Sequence, residues 1–135
     1  MAKRHYPHLD LRIGSSYDDL KRQFGTFSYV MSLEVIPYVH EPRSFSRTIC
    51  ELLADDGYAM VSAPYHGYFK NLAIAVVGGF DDHFNPLSDD GYVKLWSVQT
   101  LRTLLEETGL RSIEFVRVGR FPALAKSMIA VAKKK

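Results

Sequence analysis

One run without a single charge, Phe27-Ser-Tyr-Val-Met-Ser-Leu33, limits what this chain can fold into more than any other feature. Its residues are apolar or β-forming almost throughout, the pattern of a strand buried on both faces of a parallel sheet. The run leads directly into Glu34, and Pro37 and Pro42 follow. In open α/β sheets, ligands bind outside the carboxyl ends of the strands. A carboxylate at that point either faces a ligand cleft or caps and orients the next loop, and the sequence leaves both readings open.

The flanking segments extend the α/β pattern. Leu9 to Ile13 alternates apolar and polar residues, as a half-exposed or edge strand does, and Gly14-Ser15-Ser16 ends it. Pro42 suits the first position of a helix, where its missing N–H costs nothing. Phe45, Ile49, Leu52 and Leu53 then fall on one stripe, and Gly57 is placed to end that helix. Tyr58 to Ala63 reads as a short buried strand closed by Pro64. Residues 65–96 form a long insert with a candidate helix before Gly78-Gly79, and an insert of this length between a strand and a helix is expected to be a lid or binding loop. Ser97 predicts a helix N-cap, with Trp96 packing on Leu101 as a hydrophobic staple. Leu101, Leu104 and Leu105 mark the buried stripe and Gly109 the end of that helix. Ser112 to Val118 carries Glu114 and Arg117 and predicts a strand near an edge. Ser127 to Ala132 is apolar throughout and predicts a central strand. Strand–helix alternation closed by two strands without an intervening helix predicts a mostly parallel sheet with an antiparallel final strand.

Composition narrows the class of function. The chain has 135 residues, 47% hydrophobic and 24% charged, ordinary values for one globular domain. A net charge of +2, part of it in the terminal Lys133-Lys134-Lys135, is too weak and too local for a nucleic-acid surface. No apolar run reaches the length needed to span a bilayer, so no membrane partner is expected. Cys50 is the only cysteine, which rules out an internal disulfide and suits a reducing compartment. The first ten residues lack the apolar run of a signal peptide, and a cytoplasmic location is expected.

Read together, "FSYVMSLEVIPYVHEP", "LADDGYAMVSAPY" and "GYVKLWSVQTLRTLLEETGL" resemble the fourth strand, the fifth strand and the segment before the last two strands of S-adenosylmethionine-dependent methyltransferases with a Rossmann-like fold. The nearest group is the ubiquinone-biosynthesis O-methyltransferase type, and the likeness runs from about Pro7 to the C-terminus. In that family the strand order is 3-2-1-4-5-7-6, so the resemblance implies the fourth to seventh strands here, with the Leu9–Ile13 segment as the third. Such enzymes usually begin with a Gly-x-Gly-x-Gly strand and a second strand ending in an acid that binds the ribose. Neither motif occurs in these residues. The expectation is a single partial methyltransferase domain over 1–135, resembling the C-terminal part of the family and lacking the first two strand–helix units. Phe27–Leu33 would then be an exposed sheet edge, which invites pairing with another chain and makes a homo-oligomer through that edge an expectation.

The resemblance implies S-adenosylmethionine as cofactor and a small-molecule methyl acceptor, with O-methylation as the finer expectation. It places Ser15, Ser16 and Tyr17 beside the adenine and Ser32, Leu33 and Glu34 beside the cofactor. An ordinary polar turn explains Ser15 to Tyr17 equally well. An O-methyltransferase needs a base near the acceptor hydroxyl, and His66, just past the fifth strand, is the best-placed candidate, against the alternative of a solvated loop histidine. Pro37 and Tyr38 stand where the family often has Glu-His, so no metal site is carried over. The competing reading is a truncated or degenerate, non-catalytic domain that self-associates. Because the glycine turn and the ribose acid are missing, this chain alone is expected to bind the cofactor weakly or not at all.

Overall fold

The computed structural model describes residues 2–85, 87–89, 91–119 and 125–135. Four strands form one sheet: β1 (Phe27–Ser32), β2 (Leu53–Pro64), β3 (Leu110–Val118) and β4 (Ser127–Lys134). The order is β1-β2-β4-β3, with β1 parallel to β2 and β4 antiparallel to both of its neighbours. Three strands therefore run one way and the last runs back, the expected α/β fold class. The order also matches the 4-5-7-6 end of the arrangement that the resemblance implies.

Helices α3 (Pro42–Leu52) and α6 (Val98–Glu107) cover one face of this sheet. The core lies between them and the strands: Phe45 and Ile49 from α3, Leu101, Leu104 and Leu105 from α6, and Ala59, Val61, Met128 and Ala130 from the sheet. The small residues of β2 and β4 let both helices approach closely, and the large ones fill the space between them. α6 starts as its sequence predicts. Ser97 Oγ accepts from Thr100 N–H, Thr100 Oγ1 accepts from Ser97 N–H, and Gly109 takes a positive φ of 98° just past the helix end. Trp96 and Leu101 join the same core cluster. Shorter helices α1 (Ala2–His5), α2 (Leu20–Phe24), α4 (Tyr68–Val76) and α5 (Phe80–His83) complete the chain. No helix among the described residues is long and apolar enough to cross a membrane.

Three expectations need correction. Leu9–Ile13 is not a strand. With no neighbouring strand among the described residues to take its backbone groups, it runs as exposed coil, and Arg12 instead grips Asp10 at 2.8 Å and lies 4.7 Å over the Phe24 ring. Phe27–Leu33 is not buried on both faces. Among the described residues it is the sheet edge, with Tyr29 and Met31 exposed. Gly57 does not end α3, because the chain passes directly from Leu52 into β2. Gly57 lies within that strand, where a Cβ would come within 2.8 Å of the Ala54 carbonyl and 3.1 Å of the Ser28 carbonyl, so close backbone approach sets its identity. The expected strand pair is present as β3 and β4, but most of the "GRFPALAK" connection lies outside the described residues.

Candidate functional site

The carboxyl end of β1 opens onto a cleft of about 370 Å³. Three segments distant in sequence build it. The coil before α2 contributes Arg12, Ile13, Ser15 and Ser16, the end of β1 contributes Ser32 and Leu33, and α3 contributes Phe45, Thr48 and Ile49. Four of the residues that the sequence singles out thus share one wall. Ser32 is nine-tenths buried, and its Oγ has no hydrogen-bond partner among the described residues. A buried hydroxyl without a partner costs about 1–3 kcal/mol, which a ligand group in the cleft would recover.

The Ser15 turn is partly self-contained. Ser15 N–H donates to Asp18 Oδ2 at 2.8 Å, and Tyr17 N–H donates to Ser15 Oγ at 3.2 Å. Those two amides are committed within the turn, which leaves Ser16 and the side chains to face the cleft. Tyr17 does not line it. Its phenol oxygen accepts from Glu41 N–H at 3.3 Å and so holds the turn against the start of α3.

Glu34 also turns away from the cleft. It adopts φ 56°, a left-handed conformation uncommon for a residue with a side chain. Ser62 of β2 sustains it from both ends: Glu34 N–H donates to Ser62 Oγ at 2.9 Å, and the Ser62 hydroxyl donates to Glu34 Oε1 at 2.9 Å. The carboxylate therefore fastens the loop exit to β2. It also faces Tyr92, whose phenol pKa is raised first by burial, then by Tyr38 and Glu34. Ser62 was not singled out from the sequence, although a lone hydroxyl in the otherwise apolar Ala59–Ala63 run is a readable signal. Ser62→Ala removes the acceptor of the Glu34 amide and a donor to its carboxylate, both half-buried. It is expected to cost about 1–3 kcal/mol in urea unfolding, and a loss below about 0.5 kcal/mol would show that Glu34 holds its turn without Ser62.

His66 lies beyond the end of β2, half-buried, in a recess with Pro37, Pro64, Tyr92 and Trp96. Its ring lies 5.4 Å from that of His83 and 5.5 Å from that of Phe84. Neither ring nitrogen has a partner at ordinary hydrogen-bond length among the described residues. Burial, then Lys70, then His83 push its pKa down, against a smaller opposing pull from Asn71. The imidazole is therefore neutral at pH 7 with a nitrogen able to accept a proton. Because the folded state holds His66 neutral where the unfolded chain would protonate it, stability rises with pH up to the unfolded value near 6.5 and is lost as pH falls below it. His66→Gln is expected to flatten the rise in melting temperature between about pH 5 and 6.5; an unchanged slope would mean that the ring titrates as freely as in the unfolded chain.

A second, open hollow of about 730 Å³ lies next to His83 and is lined by Tyr38, Phe84, Asp89 and Tyr92 among others. Tyr38 and Tyr92 approach to 5.4 Å between ring centroids. α4 and α5 occupy the insert, and α4 leaves Tyr68, Phe69 and Val76 exposed. Among the described residues, no group of three or more His, Cys, Asp or Glu could hold a metal ion.

The sequence matches no protein-family model and no curated protein sequence. Solved structures do match. A methyltransferase from Thermotoga maritima, described as S-adenosylmethionine-dependent and a possible histamine N-methyltransferase, superposes with a TM-score of 0.66 at 11% identity over 90% of this chain and 62% of that one. An O-methyltransferase family protein from Burkholderia thailandensis gives 0.69 at 13% identity, covering 99% and 38% of the two chains. Human N-acetylserotonin methyltransferase, in complex with S-adenosylmethionine, gives 0.70 at 15% identity, covering 98% and 36%. The chain has the fold of S-adenosylmethionine-dependent methyltransferases and spans less than two thirds of the length of these three.

Proposed function

We propose that the chain is a methyltransferase module that binds the adenosine part of S-adenosylmethionine at the end of β1 and serves methyl transfer to a small acceptor, with a hydroxyl as the acceptor group. The observation that carries this reading is the shared cleft. Ser15, Ser16, Ser32 and Leu33 converge there from separate segments, in a methyltransferase-like fold, around the unpartnered Ser32 hydroxyl.

The lining fits one end of the cofactor better than the other. Ile13, Phe24, Val30 and Ile49 offer apolar walls for a purine, and Ser16 and Ser32 offer polar contacts at its edges. Among the described residues no Asp or Glu lines the cleft for ribose hydroxyls or an ammonium group, and Arg12, the one cation among them, is already paired with Asp10. When bound, the cofactor supplies a methyl group activated by its sulfonium. The protein's own part is to position the acceptor. His66, its pKa lowered and its buried ring nitrogens without a partner, accepts the proton that a hydroxyl loses on methylation once the acceptor enters the recess.

Each missing charge-assisted contact is worth about 1.5–3 kcal/mol, so two or three of them bring a micromolar ligand to roughly millimolar affinity. Titration of the labelled 135-residue chain with S-adenosylhomocysteine, followed by amide NMR, is expected to give a Kd in the millimolar range. Shifts should concentrate at Ser16, Ser32 and Leu33, and Ser32→Ala should weaken binding several-fold. Shifts confined to other parts of the chain, or none at several millimolar, would overturn the proposed cofactor site.

A further inference from the structure

The recess around His66 is closed. It leaves no space that a water-sized sphere could occupy. Both ring nitrogens are shielded from solvent and have no partner among the described residues. No molecule reaches this imidazole unless something packed against it moves. The insert is the part built to move. α4 and α5 bury no residue fully, and elements with so little buried surface belong to the low-stability end of a fold. The chain turns from one to the other at Gly78, at φ 65°, and Gly79.

Ring contacts hold α5 in place. His83 lies edge-on to His66 at 5.4 Å between centroids, and Phe84 lies 5.5 Å from the same imidazole. His83 and Phe84 meet at 4.7 Å, and Phe80 stacks on Phe84 at 5.8 Å. The backbone N–H groups of His83 and Phe84 donate back to Gly79 and Phe80. No hydrogen bond or ion pair among the described residues ties residues 80–84 to the sheet. Their attachment therefore depends on the state of one imidazole.

The charges around that imidazole oppose a proton. Lys70 of α4 and His83 of α5 both act against it, and no carboxylate is among the groups that act on the ring. Asp81 and Asp82 are exposed on α5. Tyr92 and Lys94 face the recess from the segment after the insert, and Glu34 faces Tyr92. A proton on His66 puts a charge in a closed site with no acceptor for its N–H. A second proton, on His83, sets two cations side by side.

We propose that α5 is a pH-sensitive latch over His66: the neutral ring cluster of His66, His83 and Phe84 keeps it shut, and proton uptake by the imidazoles releases it and opens the recess. Opening needs no ligand, so the latch stands apart from the methyl-transfer reading and governs access to His66 for whatever enters. The closed form binds a proton on His66 more weakly than the open form. Opening therefore grows as pH falls below the ordinary histidine value near 6.5, by up to about tenfold per pH unit for one proton. Above that value the latch stays shut.

Amide exchange of the 135-residue chain, read by NMR and corrected for the intrinsic effect of pH, tests this. From about pH 7.5 to about pH 5.5, protection of the His83 and Phe84 amides is expected to fall several-fold while Val61 in β2 keeps its own. Contacts between the His66 and Phe84 rings, seen as NOEs, should weaken over the same range. His66→Phe keeps a ring in place but takes no proton, so its latch should stay shut throughout. His83→Phe keeps the packing and removes the neighbouring cation, so its pH response should shrink. A loss of protection shared equally by Val61 would mean global unfolding and would overturn the latch. So would unchanged protection and NOEs at a pH where His66 carries its proton, or an equal pH response in folded His66→Phe. Where His66→Phe does not fold, equal responses in the unmodified chain and His83→Phe overturn it.

Discussion

Leu101→Ala is expected to lower unfolding stability by about 2–5 kcal/mol, the range for truncating a fully buried leucine. Leu101 has no exposed surface and stands at the first inward position of α6. Leu105 follows one turn later, also fully buried, and Leu110 and Met128 close the same core. β2 and β4 present mostly small residues to the helices, with Ala59, Ala130 and Ala132 all buried. Short side chains cannot move in to fill a void, and α6 is held at its start by the Ser97–Thr100 capping box, so the cavity stays open. A domain of this kind has about 5–15 kcal/mol of stability, so the variant would lose a large fraction of it. Chemical denaturation of the two proteins at one concentration measures the difference. A loss under about 1 kcal/mol would mean that α6 slides inward to fill the space, and that the core is looser than its burial implies.

The parts of the fold that could be read from the sequence are those whose physics is local or repeats along the chain. α6 was readable because Ser97, Thr100 and the leucine stripe state its start and its buried face together. β4 was readable as central because Ser127–Ala132 has no charge to expose, and β3 as an edge because Glu114 and Arg117 need water. Most of the failures involve partners far away in sequence. The alternation in Leu9–Ile13 is a strand pattern, but a strand forms only against a neighbour, and none among the described residues lies beside it. Gly57 reads as a helix stop, yet it lies within β2, where the carbonyls of Ala54 and, on the adjacent strand, Ser28 leave no room for a Cβ. At the site, the family resemblance singled out Ser15, Ser16, Ser32 and Leu33, and these four line one cleft. The directions of Tyr17 and Glu34 were not readable. Glu41 N–H holds the first and Ser62 the second, and nothing around Tyr17 or Glu34 in the chain names either partner.

Trp96→Ala is expected to cost about 3–5 kcal/mol and to reach the candidate site as well as the core. Trp96 is nearly buried, and its Nε1–H donates to the Ile36 carbonyl at 3.3 Å. It anchors a wider attachment. Val93 N–H and Lys94 N–H both donate to the Pro37 carbonyl, at 2.9 and 3.0 Å, and Lys94 Nζ donates to the His40 carbonyl at 3.0 Å. Residues 93–96 are thus fastened along the turn that follows Glu34. That turn places Tyr38 opposite Tyr92, and the same indole helps wall the recess of His66. Removing the indole empties the pin between the insert and the end of β1, so the Tyr38–Tyr92 contact should loosen and His66 should gain solvent. His66 in the variant should then titrate closer to the ordinary histidine range, since burial is the largest cause of its lowered pKa. Trp96→Phe keeps part of the packing but deletes the N–H bond and some ring volume, so it should cost less, about 1–3 kcal/mol, with a smaller change at His66. Denaturation and an NMR titration of the imidazole protons on both variants separate the two contributions. If alanine cost no more than phenylalanine, or if His66 titrated identically in all three proteins, the insert would be held by its backbone bonds to Pro37 and not by the indole.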